Sequence, residues 1–167
     1  FSTDGLLTTL MVKVGIMDEP VSLLSSKDSV YWFQTFLAQW KVLGWNSIIY
    51  LAAIAGIDQE QYEAAKVDGA NAFQRFKSIT LPMLTPTTFF VSIMLTIACF
   101  KVFDLISVMT NGGPGRATNV LVYHIYNTAF INYEFGYASA ISMVLFAIVL
   151  TITVIQFKTE KKWVSYM

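Results

Sequence analysis

Long apolar runs alternate with short polar segments along the chain. Residues 78–100 and 135–157 carry no charge, and the run between Asp28 and Asp58 has Lys41 as its only charged residue. A helix needs about 20 mainly apolar residues to cross the hydrocarbon core of a bilayer. Buried helices of a soluble protein are rarely this long and uncharged, so the pattern predicts an all-α membrane protein. The predicted spans are residues 29–57, 83–109 and 135–157.

The most polar segment, residues 58–82, lies between the first two predicted spans, and we call it the elbow. Residues 59–68 are good helix formers. Gly69 is expected to end that helix, because glycine breaks or sharply turns a helical run. The pattern from 71 to 79 predicts a second short helix, and Leu81 is expected to end it because it precedes a proline. The sequence therefore predicts a helix–glycine–helix arrangement.

Local signals predict where the other helices begin and end. Asp28 or Ser29 can cap the first span, and Pro82 and Pro86 suit the beginning of the second. The segment NGGPG, residues 111–115, cannot continue a helix and is expected to form a turn. The second predicted span therefore ends before this turn.

The segment 4–15 predicts a short amphipathic helix. Asp4 is a candidate cap and Gly15 a candidate C-terminal residue. A helix lying on the outer membrane surface and a helix packed against other spans both fit this pattern. The apolar stripe on its face comprises Leu6, Leu7, Leu10, Met11 and Val14.

Basic residues indicate the orientation, because cytoplasmic loops carry an excess of Lys and Arg. The elbow and the C-terminal tail, residues 158–167, hold more basic side chains than the opposite side. They are therefore predicted to be cytoplasmic, with residues 1–28 and 110–134 outside. The basic residues on the cytoplasmic side are Lys66, Arg75, Lys77, Lys158, Lys161 and Lys162, against Lys13, Lys27 and Arg116 outside.

The composition excludes several classes of protein. Charged residues make up 13% of the chain, about half the usual share for a soluble domain, and the 11 acidic and 11 basic residues balance. No net field therefore favours nucleic acid. The single cysteine, Cys99, excludes an internal disulfide framework or a multi-cysteine metal site, and we expect it to be buried. The abrupt beginning at Phe1 favours a fragment that lacks an N-terminal part.

Polar side chains inside the predicted spans are candidates for a solute pathway. Lys101 and Asp104 lie three residues apart, so on one helix they could pair or face a water-filled path. Snorkelling of Lys101 to the surface is the alternative. Lys41 and Asn46 in the first span could form hydrogen bonds to a solute beside nearby aromatic side chains. Interface anchoring by those aromatic residues remains the alternative.

The elbow also matches a spaced motif: Glu63-Ala64-Ala65, three residues, Gly69, nine residues, then Ile79-Thr80-Leu81-Pro82. Its small alanines and charged side chains fit a docking surface or an ordinary amphipathic loop equally well on physical grounds. The motif resembles the loop that couples the permease subunits of bacterial ATP-binding-cassette importers to their ATPase. The resemblance implies that residues 60–80 seat in a cytoplasmic ATPase. The coupling residues that it implies are Glu63, Ala64, Ala65, Asp68, Gly69, Ile79, Leu81 and Pro82.

The resemblance covers nearly the whole chain. The runs DGANAFQRFKSITLPMLTPTTFF, FKVFDLISVMTNGGPG, TNVLVYHIY and GYASA are similar to the sugar and glycerol-phosphate branch, and to the first of its two paired permeases. Such permeases have six or more spans, of which the last three correspond to this chain. The resemblance implies a bacterial inner-membrane location, a second permease subunit, an external solute-binding protein and a sugar-like solute.

No nucleotide-binding or catalytic motif is found in the sequence. The chain lacks a G-x-x-x-x-G-K-[ST] loop, so ATP hydrolysis is expected on a separate subunit. A membrane-embedded enzyme would require Lys41, Lys101, Asp104 and His124 to converge, and their spacing does not favour a catalytic set. His124 is expected to be structural. A passive channel or an assembly scaffold is the other alternative to the importer.

Overall fold

The computed structural model describes residues 6–15, 26–160 and 164. Helices and connecting turns, without any strand, form this described part of the chain, so the predicted all-α fold is confirmed. The α-helices are α1 (Leu6–Lys13), α2 (Lys27–Ala55), α3 (Gln59–Val67), α4 (Ala72–Arg75), α5 (Leu81–Met83), α6 (Thr85–Phe100), α7 (Asp104–Met109), α8 (Leu121–Tyr126) and α9 (Phe135–Glu160). Two π-helical segments are π1 (Phe76–Thr80) and π2 (Asn127–Ile131).

Two stretches are long and apolar enough to cross a membrane. Thr85–Met109 has a mean hydropathy of 2.1 and α9 one of 2.5. Helix α2, with 29 residues, is also long enough, but it meets the apolarity criterion only together with α3, from which it is bent by 63°. The structure therefore has two or three candidate spans. The weaker case for α2 follows from its polar side chains, which include Gln34, Gln39 and Lys41.

The apolar surface of the long helices is largely uncovered by the chain itself. On α9, Met143 is 67% exposed and Phe146 is 60% exposed. A continuous apolar surface of this kind is unfavourable in water and favourable in hydrocarbon. Cys99 on α6 is likewise exposed, and the expectation that it is buried was wrong, because the chain covers few faces of its own helices.

The structure divides into two compact units. The first comprises residues 1–41 and 101–145. Its buried side chains include Val30 of α2, Ile106 of α7 and Tyr123 of α8. Phe103 packs against the ring of Tyr126, with 4.9 Å between the ring centroids. Aromatic and aliphatic packing therefore holds this unit together.

The second unit comprises residues 42–100 and 146–167. Phe89 of α6 is buried and meets Phe157 of α9 edge to face, with ring centroids 5.4 Å apart. A hydrogen bond of 2.9 Å from Gln156 Nε2 to Thr96 Oγ1 joins the same two helices. An interhelical bond of this kind satisfies polar groups that would otherwise face an apolar environment.

The beginning of the first long helix differs from the prediction. Helix α2 begins at Lys27, so Asp28 and Ser29 lie inside its first turn and do not cap it. The carbonyl of Ser26 instead accepts bonds from the Val30 N–H and from the Ser29 hydroxyl, at 3.1 and 3.2 Å. Asp28 still lies at the positive end of the helix dipole, where a carboxylate is favourable.

The short N-terminal helix is present, and the turn at 111–115 is confirmed. Helix α1 is followed by Gly15, whose φ is +77°. Asp4, the candidate cap, lies outside the described residues. The turn uses positive φ at Asn111, Gly112 and Gly115. The predicted loop 110–134 also contains two helical segments, α8 and π2, that were not predicted from the sequence.

Replacement of Gly112 by alanine is expected to lower the thermal stability of the first unit. Its φ is +83°, and an added Cβ would lie 2.9 Å from Cε1 of the buried Tyr123. The strained backbone and the displaced ring together should reduce the unfolding free energy by about 2 kcal/mol. The measurement is the melting temperature in detergent. Gly115→Ala is the matched control, because its φ of +63° has the strain but its added Cβ meets no atom within 4 Å. Equal melting temperatures for the two variants would contradict the predicted clash.

Candidate functional site

The elbow begins at an N-cap that was not predicted from the sequence. The side chain of Asp58 accepts a hydrogen bond of 3.0 Å from the backbone N–H of Glu60 and so caps α3. An Asp just before a run of helix formers is the expected sequence signal for such a cap. Glu60 lies in the first turn, where its charge is favourable. The cap fixes the residue at which the chain turns from α2 into α3.

Gly69 closes the first arm of the elbow, as predicted. The Ala70 N–H bonds the Ala65 carbonyl at 2.9 Å, and the Gly69 N–H bonds the Lys66 carbonyl at 3.0 Å. This pair of bonds is a Schellman motif, which requires a left-handed residue at the position of Gly69. The φ of Gly69 is +79°. Glycine at this point of the motif therefore supplies the left-handed backbone conformation that the turn requires.

The second arm of the elbow begins at a reciprocal cap. The Asn71 side chain accepts a bond of 2.9 Å from the Gln74 N–H, and the Gln74 side chain accepts one of 2.7 Å from the Asn71 N–H. These two bonds form a capping box. They fix the direction in which the chain leaves the turn at Gly69.

The second arm does not end at Leu81, and this prediction was wrong. Leu81 has helical backbone angles, its N–H bonds the Phe76 carbonyl, and α5 runs on through Pro82. A proline inside an α-helix clashes with the carbonyl four residues earlier. The wider turn of π1, which ends at Thr80 two residues before Pro82, changes the local register and accommodates the ring. The elbow is therefore joined to α6 by nearly continuous helical backbone.

A partly buried hydrogen bond joins the two arms. The Tyr62 hydroxyl of α3 lies 2.8 Å from Thr80 Oγ1 of π1, and Thr80 is only 8% exposed. A cleft of about 360 Å³ lies between the arms. This contact attaches α3 to the helical segment that leads into α6.

The coupling residues implied by the motif lie mainly on the outside of the elbow. Glu63, Ala64, Asp68, Gly69 and Leu81 are exposed, whereas Ala65, Ile79 and Pro82 are half-buried. Among the described residues, the charged groups of the elbow form no ion pair with one another. Phe73 of the second arm is 72% exposed. An outer surface with unpaired charges and an exposed aromatic ring is suited to contact another protein.

The pathway candidates come together differently from the prediction. Helix α6 ends at Phe100 and α7 begins at Asp104, so Lys101 and Asp104 do not share a helix face. A spacing of three residues places two side chains on one face only in an unbroken helix, and here the helix is interrupted between them. Asp104 instead forms an ion pair with Lys41 of α2. Lys101 is exposed, and Asn46 is half-buried.

A polar network in the first unit was not predicted from the sequence. Gln34 Nε2 of α2 donates to Thr110 Oγ1 at 3.2 Å, and Thr110 Oγ1 lies 2.8 Å from Thr118 Oγ1. The Tyr31 hydroxyl donates to the Ala117 carbonyl at 2.9 Å. These bonds attach α2 to the turn after α7 over a sequence distance that no local pattern reports. His124 is half-buried on α8 and belongs to no metal-binding group among the residues described.

The comparison with known families identifies the kind of protein. The sequence profile of the binding-protein-dependent transport system inner membrane components matches residues 7–162. The chain belongs to this family. Members of this family are transport components and not enzymes, and the helical, apolar structure agrees with a multi-pass inner-membrane protein.

Individual members of the family are similar over most of the chain. The sn-glycerol-3-phosphate transport system permease protein UgpA of Agrobacterium fabrum is 37% identical over 97% of this chain and 55% of its own length. The trehalose/maltose transport system permease protein MalF of Thermococcus litoralis is 38% identical over 94% of this chain and 52% of its own length. The chain thus spans about half the length of the curated relatives it matches.

A solved transporter has the same fold. This structure is a bacterial alginate ABC transporter in complex with an alginate pentasaccharide-bound periplasmic protein. One of its chains matches with a TM-score of 0.76 and 25% identity, over 95% of this chain and 55% of that chain. The family and the fold expected from the elbow motif are therefore confirmed.

Proposed function

We propose that the chain forms part of the translocation path of an ATP-driven importer for a carbohydrate-type solute. The elbow is the contact with a separate cytoplasmic ATPase, and residues 60–80 transmit its movement. The observation that carries this proposal is the rigid elbow itself, with a capped first arm, a Schellman turn at Gly69 and a second arm continuous with α6. A solvated loop would need none of these features.

The mechanism follows from the way the elbow is joined to the long helices. Closure of the ATPase displaces α3, and the bond from Tyr62 to Thr80 passes the displacement to the second arm. Because π1 and α5 lead directly into α6, the movement reaches the membrane as a tilt of that helix. The importer alternates between outward-open and inward-open states that nucleotide binding biases.

The orientation and the partners complete the proposal. The elbow and residues 158–167 lie in the cytoplasm of a bacterial cell, in keeping with their basic residues, and residues 1–28 and 110–134 lie outside. Spans at 29–57, 83–109 and 135–157 cross the inner membrane. A second permease subunit completes the cavity, and an external solute-binding protein delivers the solute, as in the complex of the alginate transporter. Relatives named for glycerol phosphate and for trehalose and maltose support a sugar or polyol class of solute.

The solute path is proposed to include Lys41, Asn46, Lys101 and Asp104. The ion pair between Lys41 and Asp104 supports this assignment. Charged side chains inside an apolar span are energetically costly, and those that are present usually have a function. Lys101 lies at the break between α6 and α7, where backbone polar groups are also free of regular helix bonding. These groups would offer hydrogen bonds to the hydroxyls of a sugar.

Replacement of Glu63 by lysine tests the ATPase contact. Glu63 is exposed on α3 and forms no ion pair among the described residues, so its charge is available to a partner. We expect at least a tenfold loss of ATPase that co-purifies with the membrane complex, and a similar loss of uptake in vesicles.

Glu60→Lys is the matched control for that experiment. Glu60 is another exposed acidic residue of the same helix; it begins the segment 60–80 but is not one of the eight coupling residues that the motif implies. Its substitution reverses a charge equally but should reduce ATPase association much less. If both variants keep the ATPase and transport normally, the elbow is not the coupling surface.

A further inference from the structure

The cleft inside the elbow has a lining unlike the outer surface of that segment. Its volume of about 360 Å³ lies within the range of small-molecule sites. Helix α3 contributes Gln59, Tyr62 and Lys66. The second arm contributes Ala72, Arg75, Phe76 and Thr80. Because the Tyr62–Thr80 bond and the Gly69 turn hold the arms, the cleft is a preformed groove that is open to solvent.

The charges of the lining are of one sign. Lys66 and Arg75 face the cleft from opposite arms, and no carboxylate belongs to the lining. Neither cation forms an ion pair with another of the described residues. Arg75 is half-buried, so its charge is partly withdrawn from water without compensation by an acidic side chain. Two cations from two helices with no carboxylate between them create a site for an anion.

The uncharged side chains of the cleft supply further donors. The hydroxyls of Tyr62 and Thr80 bond each other, which uses one O–H and leaves the other able to donate. Gln59 adds an amide N–H₂ group. A planar guanidinium, an ammonium, a hydroxyl and an amide together match the several acceptor oxygens of a phosphate. Phe76 and Ala72 form the apolar part of the lining.

The position of the cleft along the chain indicates where the phosphate comes from. Thr80 of the lining is five residues before Thr85, where the membrane-spanning stretch begins. At a rise of 1.5 Å per residue this is about 8 Å along the helix, which is the depth of lipid headgroups. Basic pockets at the end of a span bind anionic headgroups. Leu81, exposed next to the cleft, offers an apolar contact for an acyl chain.

We propose that the cleft between the two arms of the elbow binds a phosphate group, carried by an anionic phospholipid headgroup or by free phosphate. A bound headgroup would join α3 to the second arm through Lys66 and Arg75. It would stiffen the elbow beside the single Tyr62–Thr80 bond. This site is on the inside of the elbow and is separate from the outer surface proposed to meet the ATPase.

The test is lipid retention by the purified full-length complex. The complex is reconstituted in nanodiscs of phosphatidylcholine with phosphatidylglycerol, transferred to detergent, and analysed by native mass spectrometry. The wild-type complex should retain phosphatidylglycerol in preference to phosphatidylcholine. The double variant Lys66→Gln, Arg75→Gln should retain at least tenfold less phosphatidylglycerol than the wild type. Lys77→Gln, an exposed cation of π1 outside the lining, should retain the lipid as the wild type does.

A second arm of the experiment separates the two sources of phosphate. Inorganic phosphate at millimolar concentration that displaces the lipid, or protects the elbow from proteolysis in lipid-free detergent, identifies free phosphate as a ligand. Protection by phosphatidylglycerol alone identifies the headgroup. Equal retention by the wild type and the double variant, or equal retention of both lipids, overturns the proposal.

The state of the ATPase is measured on the same samples. If lipid is retained only when the ATPase is absent, the ATPase excludes it from the assembled importer, and the proposal that a bound headgroup stiffens the elbow there fails. Because co-purification of the ATPase is measured independently, a failure of the coupling function is distinguishable from a failure of this site.

Discussion

Replacement of Gly69 by valine is expected to abolish most solute uptake while the membrane helices stay folded. Gly69 has a φ of +79°, and an added Cβ would meet no atom within 4 Å. The cost is therefore backbone strain alone, about 1–2 kcal/mol for a residue with a side chain in the left-handed region and more for a β-branched one. Such a cost is small for the whole fold but large for one turn, because it disfavours the Schellman geometry about tenfold. Uptake into vesicles should fall by a similar factor.

A series of substitutions at Gly69 tests this cause directly. Asparagine tolerates the left-handed conformation, so Gly69→Asn should transport nearly as well as the wild type, with Gly69→Ala between asparagine and valine. Gly15 is the matched control, because it follows α1 with a φ of +77° and equally open space. Gly15→Val introduces the same local strain outside the elbow, so its uptake should stay within about twofold of the wild-type value. Equal uptake for valine, alanine and asparagine at position 69 would show that the turn does not couple.

The elbow shows why some features could be predicted from the sequence. A left-handed helix end requires glycine, so the position of Gly69 after a run of helix formers predicted the turn. The same local argument failed at Leu81. A residue before proline is usually extended, but here π1 absorbs the proline and the helix continues. The bond between Thr80 of π1 and Tyr62, which lie 18 residues apart, is likewise reported by no local pattern.

The solute-path candidates show the same limit for side-chain pairing. Polar residues in an apolar run identified Lys41 and Asp104 separately, since an intramembrane charge is conspicuous in any sequence. The sequence rule paired Asp104 with Lys101 because it assumed an unbroken helix. The break at residues 101–103 removes that relation, and Asp104 pairs with a lysine 63 positions away. Which distant charges meet is decided by tertiary packing.

The second large effect is expected from breaking the Lys41–Asp104 ion pair. In water such an exposed pair would contribute at most about 1 kcal/mol, and its side chains are 58% and 62% exposed in the chain alone. Asp104 lies in the apolar stretch Thr85–Met109, however, where an unpaired charge costs about 2.5–3.5 kcal/mol. Asp104→Asn leaves Lys41 without its partner. We expect uptake to fall by at least tenfold, as measured in vesicles at saturating solute.

A double-mutant cycle decides whether the two charges act as a pair. Removal of both charges in Lys41→Gln, Asp104→Asn should restore much of the lost uptake, because no charge is then left unpaired. Lys27→Gln is the control, since Lys27 is an exposed lysine of the same helix α2, does not pair with Asp104 and is not among the proposed path residues. It should change uptake by less than about threefold.

The dependence of uptake on solute charge separates a role in the path from a purely structural one. With Asp104 replaced by asparagine, the uncompensated ammonium of Lys41 should favour an anionic solute. Uptake of a sugar phosphate should therefore rise relative to uptake of the neutral sugar. The double variant should lose this shift even though its uptake recovers. If the single variant lowers uptake of both solutes equally, the pair holds α2 to α7 without facing the solute. Additive losses in the two single variants would show that the charges do not act together at all.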